Sequence, residues 1–193
     1  MKILLTLFVL LFPSFLFADD ISDLEIEGIS IGDNLLNYFS KDEIMNGIRD
    51  YGITGINKEF TQVEFWNNKN FRKYDVVSAT IKYNQYLENY KVYDISGAIL
   101  FRENINECYA EKERITIELS SFFPNLEIFD SGRQLHVTDK TNKSTYDRVD
   151  FLLESGDSAY IICYDWAKSM GNVDHLSIGL TTKEFNEWLS NQG

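Results

Sequence analysis

Three runs near positions 60–66, 74–83 and 91–102 alternate apolar and polar residues with a period of two, and the polar stretches between them are only a few residues long. Such alternation is the signature of half-buried strands. Parallel neighbours need a crossover of a dozen or more residues, and neither Asn67–Asn70 nor the interval around Asn84–Asn89 is that long, so the runs must pair antiparallel. A second series follows at 126–130, 134–138, 148–154, 158–165 and 175–180. It is punctuated by Ser131-Gly132, a polar stretch at 139–145 and Ser155-Gly156-Asp157.

Helical signals are fewer. Asn104 opens the best of them, with Ile105, Cys108, Ile115, Leu119 and Phe122 on one face and Glu107, Glu111, Arg114 and Glu118 on the other; Pro124 closes it. Asp33 is the expected cap of a short helix carrying Leu35, Leu36 and Phe39. Ser40 with Glu43, and Thr181 with Glu184, are capping-box patterns opening two more. Asp23, Glu25 and Glu27 alternate with Leu24 and Ile26, which predicts a strand with one acidic face. The expected architecture is α+β, with helices packed on an antiparallel, meander-type sheet in a single domain over residues 19–193. With 44% hydrophobic residues, 14 Phe and 11 Tyr, the chain can build its core without a metal or a disulfide framework.

Residues 1–18 combine a lysine, the apolar run Ile3–Phe17 and Ala18 before Asp19-Asp20, which predicts a secretory signal peptide cleaved after Ala18. At about 15 residues the run falls short of the roughly 20 that span a bilayer, and no later run is longer, so the mature chain is expected to lack a transmembrane segment and to be periplasmic. Both cysteines, Cys108 and Cys163, fall in the exported part. In an oxidising compartment they are expected to form one disulfide, pinning the helix onto a strand.

The charge balance of 30 acidic against 18 basic residues opposes a grip on phosphate backbones, so nucleic acid is not an expected partner. Gly156-Asp157-Ser158-Ala159, with His175 downstream and Asp174 beside it, resembles the nucleophile block of GDSL-type esterases. Its place between two strand-like runs marks it as a hairpin turn. His136 and His175 are the only imidazoles and do not share a metal-ligand spacing, and no phosphate-binding loop is present; neither a metal nor a cofactor is expected. The most suggestive cluster is Tyr83, Tyr86, Tyr90 and Tyr93, which crowd one expected hairpin. Tyrosine is amphipathic and common at contact surfaces, although alternate tyrosines also line sheet cores.

The stretch from Ile21 through Gly28-Ile-Ser-Ile-Gly32 to Ile44, together with a helix bearing one Cys, a second Cys in a late strand and the closing Glu184-Phe-Asn-Glu-Trp-Leu189, resembles a group of uncharacterised exported proteins of marine Gram-negative bacteria. This resemblance implies a periplasmic address and carries no catalytic residue. More distantly, the opening followed by short helices and a meander is similar to the small helix-plus-sheet modules of outer-membrane-assembly lipoproteins and β-lactamase-inhibitor proteins. By elimination the sequence points to a non-catalytic binding or interaction module for an envelope protein or small ligand. The alternative is a carboxylate-dependent hydrolase, such as a glycosidase-like enzyme, drawing on the many acidic residues.

Overall fold

The computed structural model describes residues 24–51, 54, 58–82, 90–102, 104–122 and 126–192. The signal-peptide expectation for residues 1–18 lies outside them. Eight strands form one antiparallel sheet: β1 Ile48–Arg49, β2 Thr61–Trp66, β3 Val76–Ile81, β4 Val92–Leu100, β5 Glu127–Leu135, β6 Thr145–Leu152, β7 Ser158–Asp165 and β8 His175–Thr181. Their order is β1-β2-β3-β4-β8-β7-β6-β5, two four-stranded meanders joined along the β4–β8 seam. Helices α1 (Lys41–Gly47) and α2 (Ile105–Phe122) precede the first and second meander, and α3 (Lys183–Ser190) closes the chain. The fold is therefore α+β with helices on an antiparallel meander sheet, as the strand alternation and short connections require.

Alternation along each strand sorts side chains between two faces. Val63, Phe65, Val77, Ile95, Phe151, Ile161, Cys163, Leu176 and Leu180 enter the main core beneath α1 and α2. The helix α1 starts at a complete capping box: Ser40 receives the Glu43 amide while the Glu43 carboxylate receives the Ser40 amide. Buried Lys112 on α2 reaches Asp147 of β6, which pairs an otherwise costly charge. Cys108 and Cys163, both fully buried, are joined as a disulfide that fastens α2 to β7. No described helix is long and apolar enough to cross a membrane.

Three local readings are corrected. Residues 24–29 do not form a strand: Ile26 and Ile29 bridge across a tight turn, with Glu27 and Gly28 both at positive φ. The short helix after it is a single 3-10 turn, Leu35–Asn37, capped by Asn34 rather than by Asp33, whose carboxylate takes the Ser30 amide instead. Ser131-Gly132 does not separate two strands. It is a β-bulge inside β5, and Gly132 adopts the positive φ that the bulge needs.

The acidic opening has a structural task. The Glu27 carboxylate accepts the amides of Arg72, Lys73 and Tyr74, and so holds the loop that lays the Tyr74 ring flat over Gly97 of β4. A Cβ at Gly97 would overlap that ring. Gly97→Ala is expected to destabilise the protein by about 1–3 kcal/mol, the range of overpacked cores, seen as a lower urea midpoint at unchanged m-value. An unaltered midpoint would contradict this packing.

Candidate functional site: the open face of the sheet

Among the described residues, the face of the sheet turned away from α1 and α2 is covered by a helix at one end only. There α3, capped by the Thr182 hydroxyl, packs Phe185 and Trp188 against Phe60 and Tyr93, and Asn186 donates to Ser158. Beyond α3 the face carries Asp94 and Ser96 of β4, Ser177 and Gly179 of β8, Tyr160 and Tyr164 of β7, and Tyr146, Arg148 and Asp150 of β6, in rows fixed by the strand register. Tyr160 lies flat across Gly179, whose missing side chain makes room for the ring, and its hydroxyl donates to Asp94 at 3.3 Å. Arg148 stacks on the other flank of that ring, 4.9 Å from its centroid, and is tied to Asp150 through two nitrogens. Half-buried Asp94 sits among protein atoms with little solvent, and this desolvation pushes its carboxyl up to about 7 against the weaker pull of the Tyr160 hydroxyl.

Next to this polar centre five rings form a strip. Tyr146, Tyr164 and His175 are cross-strand neighbours on β6, β7 and β8. Tyr164 stacks on His175 at 4.7 Å and on Trp166 at 5.8 Å, and His136 lies 4.3 Å from Trp166. All five are half-buried, each keeping an edge or face in solvent. Their positions follow from one loop. Asp139, itself buried, accepts from the Thr141 amide and hydroxyl, the Lys143 amide and the Ser144 amide and hydroxyl, which closes residues 136–144 around His136. These bonds, first those from Thr141, hold its carboxyl well below the ordinary range. The Ser144 oxygen in turn accepts the Ala167 amide, and Asp174 accepts the Trp166 amide, so Trp166 is anchored on both sides. His175 Nδ1 donates to the Val173 carbonyl, leaving Nε2 as an acceptor, and burial lowers the pKa of both histidines, so they are uncharged at neutral pH.

At the opposite end of the same face Trp66 is 51% exposed, and its indole nitrogen donates to Glu64 at 3.0 Å. Glu64 also receives the Tyr51 hydroxyl and faces Arg49, at the side of a shallow cleft of about 300 Å³ lined further by Glu43, Asn46 and Asn68.

The residues singled out by sequence are placed differently. Tyr83 and Tyr86 lie outside the described residues. Tyr90 is 0% exposed and Tyr93 7%, the first beneath the 3-10 turn whose Leu35 amide its carbonyl accepts, the second edge-on to Phe60 at 5.3 Å. The expectation that these two belong to a contact surface is corrected by their burial: they are core. Cys108 and Cys163 serve structure on the other face. Ser158 and His175 occupy opposite ends of the β7–β8 pairing, six residues or about 20 Å apart at the rise of a strand, so they share no triad. Asp94 and Asp150 stand three strand spacings apart, about 14 Å between backbones, and Asp150 is engaged by Arg148. Among the described residues no three His, Cys, Asp or Glu side chains gather as a metal site. No family model matches the chain, and neither curated proteins nor solved structures gave a match.

Proposed function

We propose that the protein is a non-catalytic interaction module of the periplasm, and that it binds a protein partner through the open face of its sheet. One observation carries this reading. Beyond α3, the face opposite α1 and α2 is a broad surface where Trp66, Tyr146, Arg148, Tyr164 and His175 stand exposed or half-exposed on strands, with His136 and Trp166 half-exposed just past strand ends. Tyr, Trp and Arg dominate the energetics of protein contacts, and their immobilisation before binding lowers the entropic cost of association. The shape is broad and shallow, which suits a protein surface better than a small molecule. Glu64 and Asp150 are each engaged by an arginine, which argues against a carboxylate pair poised for hydrolysis. The signal-like N-terminus and the disulfide support an oxidising, exported address.

The test is affinity capture from periplasmic extract with the wild type and with a Trp66→Ala/Tyr146→Ala variant. The double variant is expected to reduce recovery of a specific partner at least tenfold, with a melting temperature within about 5 °C of the wild type. The intact mass of the bait should correspond to a chain beginning at Asp19. Undiminished capture would overturn the open face as the contact, and a bait retaining residues 1–18 would overturn the exported address.

A further inference from the structure

The two edges of the sheet are unequal. At one edge β1 contributes two residues, whereas at the other β5 presents nine. Exposed apolar side chains concentrate there: Ile128 and Leu135 on the helix face, Phe129 on the open face, Leu152 beside it on β6, and Val137 just past the strand. β5 therefore presents apolar side chains on both faces, Ile128 and Leu135 on one and Phe129 on the other, interspersed with charged and polar ones. Edges are normally blunted by shortness, charge or a bulge. This one is long, and its bulge at Ser131-Gly132 and its charges at Glu127, Asp130 and Arg133 restrict the pairing it can make along its full length.

Two copies related by a two-fold axis through the sheet must bring helix-face residues opposite helix-face residues. Because the bulge inserts one extra position, Ile128 and Asp130 lie on the helix face before it, and Arg133 and Leu135 after it, opposite Phe151, Val149, Asp147 and Thr145 of β6. A two-fold axis through the bulge satisfies the condition along the whole strand. It sets Asp130 opposite Arg133 of the second copy and Ile128 opposite Leu135 of the second copy, each pair occurring twice by symmetry. The area also suffices. Five large apolar side chains at roughly half exposure leave about 400 Å² per copy, and with two nine-residue backbone edges the total comes to about 1,000–1,200 Å², the lower bound of stable interfaces.

We propose that the protein is a homodimer in which β5 pairs antiparallel with β5 of a second copy about the Ser131-Gly132 bulge, making one sixteen-stranded sheet. The second copy is preferred over an unrelated strand because this edge is complementary to itself in both charge and apolar position. Arg133, whose guanidinium lies 4.3 Å from the Tyr109 ring, is already held on the face where the pairing places it.

Sedimentation velocity of the purified protein from about 1 to about 100 µM tests the proposal. The wild type is expected to sediment as a dimer in the upper part of that range. Arg133→Asp, which sets like charges opposite each other twice, and Ile128→Lys, at an exposed position outside the hydrophobic core, should each weaken association at least tenfold with unchanged far-ultraviolet circular dichroism. Combining Asp130→Arg with Arg133→Asp should restore it, because the exchange recreates both ion pairs. A wild type that stays monomeric throughout overturns the proposal. So does a dimer indifferent to Ile128→Lys and Arg133→Asp, or a folded charge-exchanged variant that fails to regain association.

Discussion

Replacing Cys108 and Cys163 together by Ser lowers the unfolding free energy by about 4 kcal/mol. The bridge joins residues 55 apart in sequence, and closing a loop of that length in the unfolded ensemble is worth about 4 kcal/mol on the chain-entropy account. The loop spans α2, β5, β6 and most of β7, so without the bond nearly all of the second meander gains freedom when it unfolds. The native state also loses a direct fastening. The outer side of α2 is occupied by Arg114 clasping Glu111 and Glu118, and exposed pairs of this kind contribute little, so the helix depends on its sheet-facing residues. Differential scanning calorimetry should show the melting temperature of the double serine variant lower by about 10 °C. A fall of only a degree or two would mean that the bridge adds little to what the core already holds.

The second large effect has the opposite sign. Asp94→Asn is expected to stabilise the protein at pH 8 by about 2–4 kcal/mol, with the advantage shrinking to nothing near pH 4. In the unfolded chain an aspartate ionises near 4, whereas in the fold desolvation pushes Asp94 up to about 7. Below pH 4 both states hold the proton and nothing is lost. Between pH 4 and 7 the unfolded state releases a proton that the fold retains, so stability declines as pH rises; above 7 both are ionised and the deficit stays constant. Asparagine keeps an oxygen for the Tyr160 hydroxyl and has no charge to desolvate. Denaturation midpoints from pH 4 to 8 check this: parallel profiles for the two proteins would show that Asp94 is solvated like an ordinary carboxylate.

Much of the architecture is legible in the sequence because it is local. Period-two runs marked β2, β3, β4, β6, β7 and β8 to within a few residues, and Ser40 with Glu43 announced a helix start that they do cap, whereas the last helix is capped by Thr182, one residue after the expected Thr181, and without a return bond from Glu184. What stays hidden is the order in which strands meet. Nothing in the runs at 91–102 and 175–180 says that they are neighbours, since their pairing depends on where two meanders find each other. Ser131-Gly132 reads as a break because a bulge and a turn use the same residues. The tyrosine cluster misleads for a physical reason: an amphipathic ring serves equally in a core and at a surface, and density along the chain does not separate the two. The open face was within reach. Alternation places Asp94 and Ser96 opposite in facing to Ile95, and Tyr160, Tyr164 and His175 opposite to Ile161, Cys163 and Leu176. What alternation alone does not carry is that these rows adjoin and that, among the described helices, α3 alone lies over them, at one end.

The β4–β8 seam sets the order in which the chain can be assembled. The first meander is complete in sequence by Leu100, yet the inner side of β4 acquires its partner only when residues 175–181, close to the C-terminus, arrive. Until then two half-sheets each carry a bare central edge, the kind of surface that templates wrong pairings. Pairing strands that are some eighty residues apart is slow, so this interval is when the molecule is most exposed to self-capture. The bond between Cys108 and Cys163 fastens α2 to β7, the strand next to β8, and so holds most of the second half together while the first waits for β8.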